Sequence, residues 1–377
     1  MISPIFRMMM LSGLIAALLV FISPPAGAHE LPYTVVTIDR TKNGQLDGAL
    51  YTHVPAYILG GAPQHLLPQE AAHFTALTDQ QLAKRIDHAT EIFRQELYFA
   101  LDGVEIETPL PQFPDLATLR DDALINADAP RPSAPIRFTV DAPGATLLTF
   151  AGPKRLGQIA IVYNSGGETK TTQFLDTAEL STPIDLLEAP SAGDTLFTFV
   201  AQGILHIVPL GLDHILFVVL LTIVSTRITL LLVQVTGFTL AHTFTLGLVA
   251  LGVFTPPASI IEPLIALSIA GMAFLNLVPA QETRVRGGAI IGFGLLHGAG
   301  FAGALAALGL PKGQEILALA AFNFGVEVGQ VLVIGAVLAC LAWAMEKPWY
   351  RKFLLIPISI AIGGLGLIWT VERIFFV

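Results

Sequence analysis

From Leu196 to the end, the chain is almost entirely apolar and divides into six segments. They run at about 197–224, 228–253, 258–279, 287–309, 315–344 and 353–376, and each is long enough to cross a bilayer. Hydrocarbon offers no water to the backbone N–H and C=O groups, so segments of this kind have to be helices. With 53% hydrophobic residues, only 13% charged ones and a mean hydropathy of +0.68, the whole chain lies outside the range of soluble proteins. The charge is unevenly shared. Residues 29–195 hold 22 acidic and 11 basic residues, whereas 196–377 hold 7 and 8. The expected fold class is therefore a multi-pass α-helical membrane protein of about six transmembrane helices. It carries an N-terminal β-rich, sandwich-like extracytoplasmic domain.

Residues 1–28 read as a secretory signal. Arg7 supplies the positive end, Met8 to Ile22 the apolar core, and Ala26-Gly-Ala28 the small-residue cleavage site. Residues 29–195 follow as a polar domain outside the cytoplasm. Tyr33–Asp39, Ile136–Val140, Thr146–Phe150, Gln158–Tyr163 and Thr171–Leu175 are β-prone runs between turn residues, and Asn164-Ser-Gly-Gly167 reads as a hairpin loop. One helix is expected among them. Thr78-Asp-Gln-Gln81 forms a capping box, and Leu82, Ile86, Ala89 and Phe93 recur at helical spacing. His53, His65, His73 and His88 have no metal-ligand spacing and read as surface residues. An acidic exported domain excludes nucleic acid as a partner and leaves room for an extracytoplasmic protein partner. The single cysteine, Cys340, excludes an intramolecular disulfide and reads as a helix-packing residue.

If that domain lies outside, the links after spans one, three and five are cytoplasmic. They contain Arg227, Arg284, Arg286, Lys347, Arg351 and Lys352, against Lys312 and Arg373 in the external links and tail. This bias obeys the positive-inside rule and points to a bacterial inner membrane with the N-terminal domain in the periplasm.

Ionisable residues inside the spans carry the functional signal, because each is costly at that depth. Span one holds His206, Asp213 and His214 around Pro209 and Gly211. Span two holds His242, with Gln234, Thr239 and Thr243. Span three has Glu262 near its outer end. Span four has His297 in a glycine-rich setting. Span five carries Asn323, Glu327 and Gln330 as one polar stripe. In an unbroken helix His206 and Asp213, seven apart, share a face. Alternating span direction brings His214, His242, His297 and Glu327 to one depth, with His206 and Glu262 nearer the outside. The expected metal set is His206, Asp213, His214, His242, His297 and Glu327, supported by Glu262, Asn323 and Gln330. Imidazole with carboxylate suits Ni²⁺, Co²⁺ or Zn²⁺, and the lack of a nearby thiolate or Met argues against Cu(I). Asp213 can ligate the metal or orient a histidine. A permease, an intramembrane zinc hydrolase and a proton relay can all be built from these groups. No G-x-S-x-G is present, and nucleophilic-serine chemistry has no support.

Four stretches together are specific: His206-Ile-Val-Pro-Leu-Gly-Leu-Asp-His-Ile-Leu-Phe217, Phe238-Thr-Leu-Ala-His-Thr-Phe-Thr-Leu246, Phe293-Gly-Leu-Leu-His-Gly-Ala-Gly-Phe-Ala302 and Phe322-Asn-Phe-Gly-Val-Glu-Val-Gly-Gln330. Through them the chain resembles the HupE/UreJ membrane proteins, in the subgroup with an extracytoplasmic N-terminal domain. The resemblance covers about Leu196 to Trp343. It implies nickel or cobalt permease activity rather than an enzyme, with the family's His, Asp and Glu roles falling on His206, Asp213, His214, His297 and Glu327. The alternatives are an intramembrane zinc-dependent hydrolase and a non-catalytic, membrane-anchored module that binds a partner through residues 29–195.

Overall fold

The computed structural model describes residues 33–375 except 61–65, 67, 125–133, 177–178, 189, 251–252, 255, 279–282 and 309. The expected signal at 1–28 and His65 lie outside the described residues.

The first half is β-rich, as its runs of β-branched residues require. One sheet contains β1 (Tyr33–Arg40), β2 (Gln45–Tyr51), β5 (Ile136–Asp141), β7 (Gln158–Ser165) and β8 (Glu168–Leu175), in the order β5-β2-β1-β7-β8. The other contains β3 (Tyr98–Leu101), β4 (Val104–Glu105), β6 (Leu147–Ala151) and β9 (Ile184–Asp185), in the order β4-β3-β6-β9. β1 and β7 are parallel, and the remaining pairs are antiparallel. Phe99 of one sheet meets Phe138 of the other edge-on at 5.3 Å, with Phe150 at 5.2 Å, so the inner faces share one core. The capping box forms at Thr78, and the helix it opens runs from Asp79 to Glu96. The expectation of one helix among the strands is corrected by three more, α1 (Val54–Leu59), α2 (Pro68–Ala76) and α4 (Leu116–Leu124), with the capped helix as α3. These are too short for a clear apolar period. His53 is not a plain surface residue either: its Nδ1 caps α1 by accepting from the Ala56 N–H at 3.2 Å.

β5 buries alternate residues, as a strand with one solvated face does. β7 is buried from Ile159 through Tyr163, because its second face is covered too. Ala160 and its cross-strand partner Phe174 pack onto the helical half. The β7–β8 hairpin reaches the link at 310–314. The Lys312 N–H donates to the Thr169 carbonyl at 3.1 Å, its ammonium pairs with Glu168, and Gln314 Nε2 donates to the Pro190 carbonyl at 2.8 Å. The hydrogen bond from Lys312, then that from Lys170, holds the Glu168 carboxyl below its ordinary value of 4.5. A depressed folded value contributes stability above the unfolded value that is lost as pH falls through the folded one. Acidification below about 4.5 is therefore expected to loosen this contact in wild type, and Lys312→Ala to loosen it already at neutral pH; limited proteolysis of the 310–314 link against pH reads both.

The second half consists of α5 (Ala192–Ile207), α6 (Leu212–Thr222), α7 (Ile228–Ala250), α8 (Ala258–Leu277), α9 (Thr283–Leu308), α10 (Glu315–Met345) and α11 (Ile356–Phe375), the last extended by a π turn at Arg351–Leu355. Among the described residues, α7, α8, α10 and 351–375 are each long and apolar enough to cross a membrane. The pair α5–α6 is a fifth candidate, bent by 70°. α9 has 26 residues, about 39 Å at 1.5 Å per residue, which is also the length of a span. Val233, Leu240 and Phe244 face outward on α7, an outer surface that suits lipid and not water. Cys340 is exposed on α10 rather than packed between helices, so its expected packing role is corrected.

Candidate metal centre

The site forms at the break in the first span. Ser191 and Asp194 make a capping box that starts α5, and the helix ends one residue after His206. The intervening residues, 208–211, include Pro209, which has no N–H to continue the ladder. α6 then restarts at Leu212 in a new direction. Because the chain turns there, the rings of His206 and His214 meet at 4.7 Å between centroids. His206, expected nearer the outside, thus joins the inner cluster. The break that Pro209 and Gly211 suggest is present, so the condition under which His206 and Asp213 would share a helical face is not met.

α7 adds His242, with ring centroids 6.2 Å from His206 and 6.0 Å from His214. One ligand nitrogen from each of His206, His214 and His242 lies within 4.8 Å of the other two. A metal about 2.1 Å from its nitrogens spaces them about 3.4 Å apart in tetrahedral and about 4.2 Å in trans-octahedral geometry, so a small inward movement closes the three onto one ion. His297 of α9 sits behind this group, its ring 4.9 Å from that of His214. His214, His242 and His297 are at most 1% exposed. Phe217, Phe238 and Phe322 wall the cluster.

Hydrogen bonds at the far ring nitrogens fix two tautomers. His297 Nδ1 lies 2.8 Å from the Phe293 carbonyl, which only accepts, so this nitrogen carries the proton. Asn323 Nδ2 donates to the Leu319 carbonyl at 2.7 Å, leaving Asn323 Oδ1 to accept from His242 Nδ1 at 3.3 Å. In both rings Nε2 is then a lone-pair donor, buried and without a hydrogen-bond partner among the described residues. That is how metal-binding imidazoles are usually prepared.

The carboxylates are arranged differently from the imidazoles. Asp213 forms an ion pair with Arg373 of α11, at 3.1 and 3.5 Å. Glu327 accepts from the Thr236 hydroxyl, and Gln330 from the Thr239 hydroxyl at 3.0 Å, along the α7–α10 seam. Glu262 is half-buried, and its carbonyl accepts from Arg373 at 3.1 Å. Thr236 and Arg373 are the polar residues that sequence reasoning passed over. Thr236 sits six residues before His242 on the same helix. Arg373 read as a charge of the tail, yet it is only 7% exposed.

This architecture defines a polytopic helical membrane protein with a β-rich N-terminal region and a buried histidine cluster at a broken helix. The model of the HupE / UreJ protein family matches residues 184–373, and the chain belongs to that family. The match spans every helix that contributes to the cluster and leaves the strands before β9 outside it. No curated protein and no solved structure matches the chain. The family is associated with nickel and cobalt transport, and the histidine cluster is compatible with a transition-metal ion.

Proposed function

We propose that the chain carries a divalent transition metal, Ni²⁺ or Co²⁺, inward across the bacterial inner membrane. The single observation that carries this reading is the gathering of His206 and His214, from the two sides of a helix break, with His242 of α7, all within ligand reach of one another. His297 stands next to them as a fourth imidazole, and Glu327 with Gln330 continues a polar seam between α7 and α10. Neutral imidazoles bind late first-row metals well and Mg²⁺ or Ca²⁺ poorly, which fits a carrier that must select against abundant hard cations. In this reading residues 29–195 form the periplasmic domain and 196–377 the carrier. The positive-inside bias of the links supports that orientation.

Three imidazoles around an open position are also the ligand set of a catalytic zinc site, and this favours an intramembrane zinc hydrolase as the second reading. Full-length protein in liposomes that enclose a metal-sensitive dye separates the two. Dye response to external Ni²⁺ or Co²⁺ supports transport. Stoichiometric zinc that survives purification, without any flux, supports the hydrolase and removes the carrier reading.

A further inference from the structure

Asp213 stands one residue before His214 and is 2% exposed. A carboxylate at that place, beside three converging imidazoles, is an obvious oxygen ligand. It is not among the ligand atoms that converge, and Arg373 explains why. The guanidinium of Arg373 donates to both carboxylate oxygens, at 3.1 and 3.5 Å. Arg373 is itself held by the Glu262 carbonyl at 3.1 Å and lies over the Trp369 ring at 5.7 Å. Three elements therefore meet at this pair: α6 through Asp213, α8 through Glu262 and α11 through Arg373.

We infer that Arg373 is a positioning residue that holds Asp213 out of the histidine cluster and so sets how tightly the cluster grips a cation. The affinity part rests on the metal reading above; the tether rests on the geometry alone. An ion-paired carboxylate brings the cluster neither net charge nor an oxygen ligand. A shift of α11 relative to α6 would separate the pair and free Asp213. For a carrier this is useful, because a site without the carboxylate holds the ion less tightly than the same site with it and lets it leave more readily. Had Asp213 been free to swing in, it would add both a ligand and a negative charge.

A double-mutant cycle on the full chain in detergent tests this with Arg373→Gln, Asp213→Asn and the double variant. In metal-stripped protein each single change is expected to lower the melting temperature, and the double variant to lose less than the two shifts combined. Independent, additive shifts overturn the tether. In titrations with NiCl₂ and CoCl₂, Arg373→Gln is expected to tighten Kd by about 10- to 100-fold, the range through which groups just outside a metal's ligands act. That gain disappears when Asp213 is already Asn. Unchanged Kd in Arg373→Gln, or an equal gain in the Asp213→Asn background, overturns the affinity role. Arg373→Lys keeps the charge without the fork and gives a smaller gain of the same sign, which serves if the Gln variant does not fold. If neither wild type nor Arg373→Gln binds either metal, the metal reading and the affinity role fall together. The melting cycle still decides the tether.

Discussion

Cells that carry His214→Ala are expected to take up radiolabelled nickel only at background, and the purified variant to bind Ni²⁺ more than about 100-fold more weakly, beyond what loss of a mere supporting partner costs. His214 has the central place. Its ring lies 4.7 Å from His206, 4.9 Å from His297 and 6.0 Å from His242, so its loss leaves those three imidazoles around an empty centre. The Phe238 ring, edge-on to His214, offers no replacement donor. Glu327→Gln is expected to stop uptake as well while leaving Ni²⁺ binding closer to wild type. Its carboxylate is engaged with Thr236 on the seam and is not one of the three converging ligands. Wild-type uptake in both variants sinks the carrier reading.

The intramembrane histidines were legible because hydrocarbon makes each of them conspicuous. Counting residues along alternating spans set His214, His242 and His297 at one level, and these rings do lie together, whereas His206, expected nearer the outside, lies with them. Their convergence was not legible in detail, since it depends on the 70° turn between α5 and α6. Pro209 and Gly211 announced a break there but not its direction. Arg373 was misread for a related reason. Three residues from the end of an apolar span, a basic residue looks like an interfacial anchor, and only the packing of α11 beside α8 turns it inward onto Asp213. In the β-rich half, β1 and β7 were each visible as strands, but their parallel pairing joins segments far apart in the chain and leaves no local trace. β2 was missed because Gly48 weakens its strand signal. That glycine makes room for the Phe138 ring, which a Cβ would approach to 2.0 Å.

Gly325→Ala is expected to destabilise the helical half by about 3 kcal/mol, the upper end of the usual overpacking cost, because backbone and not side chain occupies the space. A Cβ at Gly325 would lie 2.1 Å from the Val200 carbonyl oxygen and 2.9 Å from Gly203 Cα. One at Gly203 would lie 2.0 Å from the Phe322 carbonyl oxygen. The two glycines thus let α5 and α10 touch along their backbones, the arrangement that small residues permit in membranes. No rotamer change relieves such a contact; the helices have to separate. α5 carries His206 and α10 carries Asn323, the residue that fixes the His242 tautomer, so separation moves both sides of the cluster at once. The loss in melting temperature should therefore be accompanied by weaker Ni²⁺ binding, although position 325 touches no ligand. Gly335→Ala, ten residues further along α10, provides the contrast. A Cβ there meets nothing within 4 Å, and the substitution is expected to be neutral or to stabilise the helix by about 0.5–1 kcal/mol. Equal melting temperatures for the two variants would show that α5 and α10 are not in backbone contact.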